Sequence, residues 1–138
     1  MKNLWVFAAI FALLSLAVVS KELETGYEKE ILQAGDGEHI PAKGDVVYVH
    51  YRGTLNDGTE FDSSIKRNKP FSFTLGQNRV IKCWEKGVAT MSLGEKALLT
   101  CSPDFAYGAR GHPPTIPAKA TLMFEVELLD FKRKGGDL

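Results

Sequence analysis

Apolar residues alternate with polar ones through most of this sequence, and only one short stretch departs from that spacing. The clearest alternation runs from Asp45 to Arg52, where Val47, Val49 and Tyr51 share one side, as in a β-strand with two different faces. The exception begins at Val80 and carries large apolar residues at helical spacing, namely Ile81, Trp84, Val88 and Met91. A sheet must bury one face, and this helix is the only cover that the sequence offers. The pattern therefore predicts an α+β fold, an antiparallel sheet with one short helix.

The other predicted strands have the same alternation or are bounded by turn residues. They are residues 26–32, edge-like in pattern, 59–62, 71–75, 95–102 and 122–128. The sequence Asn56-Asp57-Gly58 predicts a tight turn. Residues 105–117 form a loop rich in Gly and Pro that is too long for a simple connection, so it is a candidate functional loop.

Aromatic side chains on the predicted inner faces exceed what a small core needs. Those on the strands and the helix are Tyr51, Phe61, Phe71, Trp84 and Phe124, and the long loop adds Tyr107 together with the aliphatic Ile116. We expect them to meet where the helix packs on the sheet. Trp84 would then be either core filling or the floor of a pocket, and the pattern alone leaves both open.

The N-terminus has the features of a secretory signal peptide. A positive start is followed by sixteen almost wholly apolar residues from Leu4 to Val19, with small or β-branched residues before a cleavage point after Ser20. The alternative is an uncleaved membrane anchor, but the stretch is shorter than the roughly 20 residues of a spanning helix. We expect a signal peptide at 1–20 and one domain at 21–138, ending in a short tail at about 132–138.

The two cysteines, Cys83 and Cys101, allow a disulfide or two free thiols. An oxidising compartment permits the bond. Alternation, however, places Cys101 on the core face beside Ala97 and Leu99, which favours two buried thiols.

Several classes of chemistry lack the residues they need. The three histidines, His39, His50 and His112, lack metal-ligand spacing, and no nucleophile elbow, phosphate loop or dinucleotide fingerprint occurs. Seventeen basic residues balance seventeen acidic ones, so no field favours nucleic acid. We expect no metal, no cofactor and no nucleic-acid partner. An aromatic pocket that binds a compact apolar group, such as a proline ring, remains.

Six blocks of the sequence, in order over residues 26–131, resemble the FKBP-type peptidyl-prolyl cis-trans isomerases. They are Val49-His50-Tyr51-Arg52-Gly53, Asp57-Gly58 with Phe61-Asp62-Ser63-Ser64, Asn68-Lys69-Pro70-Phe71-Ser72-Phe73, Val80-Ile81 with Trp84-Glu85-Lys86-Gly87, Ser102-Pro103-Asp104-Phe105-Ala106-Tyr107-Gly108, and Ile116-Pro117 with Ala120-Thr121-Leu122-Met123-Phe124. The resemblance implies a twisted antiparallel sheet of about five strands wrapped around one short α-helix. The sequence departs from the family at Cys83, where glycine is usual, and we expect a side chain there to crowd the helix start or shift Trp84.

The resemblance also implies a set of site residues. The implied catalytic residues are Tyr51, Asp62, Trp84, Tyr107 and Phe124. The implied substrate-binding residues are Phe61, Phe71, Val80, Ile81, His112 and Ile116. Trp84 would be the floor under the proline ring, and Arg67 would be the ion-pair partner of Asp62.

The implied function is acceleration of X-Pro isomerisation during protein folding, with tacrolimus and rapamycin as further ligands. A non-catalytic module that binds proline-containing partners is the alternative, and a membrane-tethered structural protein is a third interpretation that requires an uncleaved anchor. We expect a monomer in the endoplasmic reticulum lumen or secreted, without stable membrane insertion once the signal is cleaved. The C-terminal Asp137-Leu138 only weakly resembles a retention signal.

Overall fold

The computed structural model describes residues 26–133, which form six antiparallel strands and one short helix. The strands are β1 (Tyr27–Gln33), β2 (Val46–Leu55), β3 (Glu60–Ser63), β4 (Phe71–Thr74), β5 (Lys96–Cys101) and β6 (Leu122–Lys132), and the helix is α1 (Lys82–Gly87). The α+β prediction is confirmed, with six strands where about five were expected. The predicted signal peptide at 1–20 and the end of the tail lie outside the described residues.

The strand order is β1-β5-β6-β2-β3, and β4 pairs with the first half of β2 on the side where β3 pairs with the second half. The longest pairing joins β2 to β6, from Val46 opposite Lys132 to Leu55 opposite Leu122. β1 lies at the sheet edge, as its pattern predicts. No helix within residues 26–133 is long and apolar enough to cross a membrane.

The inner face of the sheet is the one that alternation predicts. Its buried residues come from β2, β4, β5 and β6 and are Val47, Val49, Tyr51, Phe73, Ala97, Leu99, Cys101, Leu122, Phe124, Val126 and Leu128. Burial of their apolar surface, at about 25 cal/mol per Å², supplies most of the driving force for this packing. The sheet thus presents one continuous apolar surface to α1.

Helix α1 covers that surface with about one and a half α-helical turns, and a 3-10 turn at Val88–Thr90 continues it. Trp84, Val88 and Met91 are buried, as predicted, and Ile81 is half-buried. The close approach of the helix to β5 requires glycine at position 87. A Cβ there would lie 2.8 Å from Leu99 Cδ2, well inside van der Waals contact.

The prediction of two free thiols is wrong, because Cys83 and Cys101 form a disulfide with their Cα atoms 5.7 Å apart. Cys101 does face the core, as alternation indicates, but the start of α1 lies directly over it. Both cysteines are fully buried. The Cys83 side chain therefore points toward Cys101 in β5, and Cys83 is not among the residues that line the cavity beside Trp84.

The three histidines lie on separate elements of the fold. His39 is exposed and pairs with Asp36, with Nδ1 2.6 Å from Oδ2. His50 is half-buried in β2 with Nδ1 2.9 Å from Ser64 Oγ, and His112 lies in the long loop. Within residues 26–133, no cluster of His, Cys, Asp or Glu is arranged to hold a metal ion.

Candidate active site

A cavity of about 260 Å³ opens where α1 meets the concave face of the sheet. Nine of the eleven site residues inferred from the sequence line it: Tyr51, Phe61, Asp62, Phe71, Val80, Ile81, Trp84, Tyr107 and Phe124. They come from four strands, the start of α1 and the loop after β5. The volume lies just below the usual range for ligand pockets, so it suits a compact ring.

Trp84 forms the base of this cavity. The rings of Tyr51, Phe124 and Phe71 meet its indole nearly edge-on, with centroids 4.9, 5.3 and 5.8 Å away. Each such contact contributes about 0.5–1.5 kcal/mol beyond area burial, so the indole is held firmly. Trp84 Nε1 is buried without a hydrogen-bond partner among the described residues. A donor left unpaired is rare in a plain core position, which favours a pocket floor over core filling.

One wall of the cavity depends on a glycine that the sequence pattern did not single out. Phe61 and Phe124 pack edge to face with centroids 5.6 Å apart, directly over Gly53 in β2. A Cβ at Gly53 would lie 2.7 Å from Phe61 Cζ and 2.9 Å from Phe124 Cε1. The available signal was a glycine inside a strand, which often marks a close approach of neighbouring groups.

Asp62 is the acidic group of the cavity, and its charge is compensated. The Tyr51 hydroxyl and an Arg67 N–H both donate short hydrogen bonds to its carboxylate, and the Ser63 N–H donates a third at 2.9 Å. Arg67 Nη2 also donates to the Tyr51 hydroxyl at 3.0 Å. The predicted pairing of Asp62 with Arg67 is therefore present, and Tyr51 completes a closed triangle.

This triangle fixes the ionisation of the site. Burial acts to raise the pKa of Asp62, but the hydrogen bonds from Tyr51 and Arg67 outweigh it and hold that pKa below the usual aspartate value. Burial, followed by the hydrogen bond to Asp62, raises the pKa of Tyr51. Burial and the charge of Asp62 likewise raise the pKa of Tyr107. At neutral pH the cavity thus holds one ionised, paired carboxylate and two neutral phenols.

The long loop places Tyr107 at the mouth of the cavity, with 41% of the residue exposed. Its ring lies 5.6 Å from that of His112, whose N–H and carbonyl pair with the backbone of Ile116 at 2.8 and 3.0 Å. His112 and Ile116 do not line the cavity. His112 instead contacts the Tyr107 ring, and Ile116 is buried in the core.

Two further groups at the mouth precede α1. The Ile81 carbonyl accepts the N–H groups of Trp84 and Glu85 at 3.0 and 3.1 Å, whereas the Ile81 N–H has no acceptor in the described part of the chain. Arg79 lines the cavity as well, and sequence reasoning missed it. The Ile81 N–H can therefore donate a hydrogen bond to a ligand, and Arg79 adds a positive charge to the mouth.

Comparison with known proteins identifies the family of this chain. The family described as FKBP-type peptidyl-prolyl cis-trans isomerase matches residues 37–129, most of the chain. The chain belongs to that family, and it is accordingly an enzyme of the peptidyl-prolyl cis-trans isomerase class.

Its relatives include small members of the family from fungi and animals. FK506-binding protein 1A of Aspergillus fumigatus is 56% identical over 109 residues, covering 79% of this chain and 97% of the relative. Peptidyl-prolyl cis-trans isomerase FKBP1A of Xenopus laevis is 59% identical over 104 residues, 75% of this chain and 96% of the relative. Peptidyl-prolyl cis-trans isomerase Fkbp12 of Drosophila melanogaster is 60% identical over 95 residues, which cover 69% of this chain and 88% of the relative.

Proposed function

We propose that this isomerase accelerates X-Pro isomerisation in proteins folding in the secretory pathway, by binding the proline ring over Trp84. The observation that carries the proposal is an aromatic cavity whose carboxylate is already paired and whose phenols are neutral. Such a site offers shape, an apolar lining and fixed dipoles, and its one carboxylate is paired. Those are the properties that rotation about an amide bond can use.

The mechanism follows from the electronic structure of the amide. Resonance makes rotation cost about 18–20 kcal/mol, and X-Pro isomers therefore exchange over tens to hundreds of seconds. The planar amide separates charge between oxygen and nitrogen, so water stabilises it more than the twisted form, which has lost that resonance. A cavity that excludes water thus lowers the barrier. Dipoles oriented toward the twisted state stabilise it further without reorganising.

Polar groups at the mouth would hold the client backbone on either side of the ring. The Ile81 N–H and the Tyr107 hydroxyl are suited to donate to client carbonyl oxygens. The Ile81 N–H has no acceptor among residues 26–133, and the Tyr107 hydroxyl stays protonated because its pKa is raised. Asp62 would orient the Tyr51 hydroxyl and set the local field. No covalent bond to the enzyme forms in this scheme.

The ionisation state gives a prediction about pH. Because the pKa of Asp62 is lowered and those of Tyr51 and Tyr107 are raised, none of the three changes charge between about pH 5 and pH 9. We expect kcat/KM to be constant over that range and to fall below it, as the pH drops through the lowered pKa of Asp62. A pH profile of peptide isomerisation, repeated with His112→Gln to remove the neighbouring imidazole, measures this. A bell-shaped profile centred near neutral pH would contradict it.

Secretory location is supported by two features of the chain. The apolar stretch at 4–19 has the composition of a signal peptide, and a buried disulfide is typical of proteins that fold in an oxidising compartment. The mass and N-terminal sequence of the protein purified from a eukaryotic secretory host test the proposal. Cleavage after Ser20 and loss of two hydrogens are expected. An intact N-terminus with free thiols would argue against this location.

The macrolides tacrolimus and rapamycin are proposed to bind the same cavity. Relatives at 56–58% identity carry the name FK506-binding protein, and the cavity that the structure describes is lined mainly by aromatic and aliphatic side chains. One equivalent of tacrolimus is expected to abolish catalysis of an X-Pro peptide. Catalysis that continues at saturating tacrolimus would place the ligand or the reaction elsewhere.

The alternative of a non-catalytic binding module predicts a different result in the same experiment. Such a module would bind proline-containing peptides and tacrolimus without changing the rate of isomer exchange. The complete set of aromatic walls around Trp84 favours catalysis, because a module that only binds peptides need not keep every wall.

A further inference from the structure

The charged groups at the cavity mouth are not balanced. Within the described chain, Asp62 and Arg79 are the two charged residues that line the cavity. The carboxylate of Asp62 is compensated by Arg67, which is bound to it and to the Tyr51 hydroxyl. Arg79 is exposed, and none of the hydrogen bonds or ion pairs found within residues 26–133 involves it. The mouth therefore has an excess of one positive charge.

The position of Arg79 relates that charge to a bound client. Arg79 directly precedes Val80 and Ile81, which line the cavity beside Trp84. An extended chain advances at most about 3.6 Å per residue. With a proline seated over Trp84, the residues next to it in the client must therefore pass close to the mouth. A carboxylate on one of them comes within reach of a long, flexible guanidinium side chain.

We propose that Arg79 is a specificity-determining residue that favours clients with Asp or Glu directly before or directly after the isomerising proline. The inference rests on the proposed function, because it assumes that proline is bound over Trp84. Arg79 takes no part in rotation of the amide. It acts by attracting a client charge before and during binding.

The expected size of the effect follows from the exposure of the pair. Ion pairs at exposed sites are weak, so a peptide with Glu is expected to exceed one with Lys by roughly fivefold in kcat/KM. The difference should lie in KM, because the contact is the same in the ground state and the transition state. At about 1 M salt the screening length falls to about 3 Å, and the preference should nearly disappear.

The experiment measures cis–trans exchange by NMR, without a coupling protease that has preferences of its own. Two peptide series carry Glu, Leu or Lys, one directly before the proline and one directly after it. The enzymes are the natural protein, Arg79→Gln, Arg79→Glu and Lys86→Glu. Lys86 is exposed on α1 and does not line the cavity. Lys86→Glu therefore changes the net charge by the same amount as Arg79→Glu, but away from the cavity.

The expected result is a preference for Glu over Lys in at least one series, lost in Arg79→Gln, inverted in Arg79→Glu and unchanged in Lys86→Glu. Equal turnover of the Glu and Lys peptides, or a preference that survives Arg79→Glu, would overturn the proposal and leave the isomerase function standing. Failure to accelerate the Leu peptides as well would overturn the proposed function itself. The two failures are thus distinguishable.

Discussion

Replacing Cys83 and Cys101 together by alanine is expected to lower the free energy of unfolding by about 3 kcal/mol. The two residues are separated by 18 positions, and closing a loop of that size removes conformational entropy from the unfolded chain. For a domain of this length the loss corresponds to a decrease in Tm of roughly 10–15 °C. Catalytic activity below the transition should be retained, because Cys83 points toward β5 and does not line the cavity.

Chemical and thermal unfolding, with and without a reductant, test this expectation. Reductant should destabilise the natural protein to about the level of the double variant and leave the double variant unchanged. Each single alanine variant should lose nearly as much stability as the double one, since either change removes the whole cross-link. A natural protein with free thiols by mass, or one whose unfolding midpoint ignores reductant, would contradict the structure.

Replacing Asp62 by alanine is expected to reduce kcat/KM by about tenfold or more and to weaken tacrolimus binding, with little effect on stability. Loss of the carboxylate leaves the Tyr51 hydroxyl and the Arg67 guanidinium without their shared acceptor, so the dipoles at the proline ring lose their orientation. Removing one fixed group of this kind costs a reaction about 1.4 kcal/mol or more. The Asp62 side chain is 40% exposed, so the folded state should lose less than about 1 kcal/mol.

The matched controls for that variant are Asp62→Asn and Asp36→Ala. Asp62→Asn keeps the size of the side chain and one acceptor oxygen but removes the charge. Its activity should therefore fall between that of Asp62→Ala and that of the natural protein. The second removes an exposed carboxylate that binds His39 on a loop that does not line the cavity, and it should leave activity unchanged. Unfolding measurements accompany both. Unchanged affinity for tacrolimus in Asp62→Ala would refute the role given to this carboxylate.

Alternation and helical spacing were enough to predict the parts of the fold that depend on one segment at a time. The buried face of β2 follows from Val47, Val49 and Tyr51, and the buried face of α1 from Trp84 and Val88. Each pattern reflects a single requirement, that one side of the element leaves water. The resemblance to known isomerases then brought together nine cavity residues that are scattered along the sequence.

Features that depend on two distant segments were not predictable in this way. The disulfide requires Cys83 to lie over Cys101, and strand alternation reports only that Cys101 faces inward. Gly53 is explained only once Phe61 and Phe124 are seen to cross above it. Arg79 carries no pattern, since its position at the mouth depends on how the segment before α1 approaches the sheet. Those are properties of packing between elements, which the local sequence does not encode.

The rate of cis–trans exchange of an X-Pro peptide, measured by NMR with catalytic amounts of protein in H₂O and in D₂O, tests the central claim most directly. Catalysis by an aromatic cavity that stabilises the twisted amide predicts clear acceleration, complete inhibition by tacrolimus and nearly equal rates in the two solvents, because no proton moves in the rate-limiting step. Absence of acceleration would make the domain a binding module. Acceleration with a large solvent isotope effect would show that an acid or base acts in the reaction, contrary to the mechanism derived from Trp84, Asp62 and their neighbours.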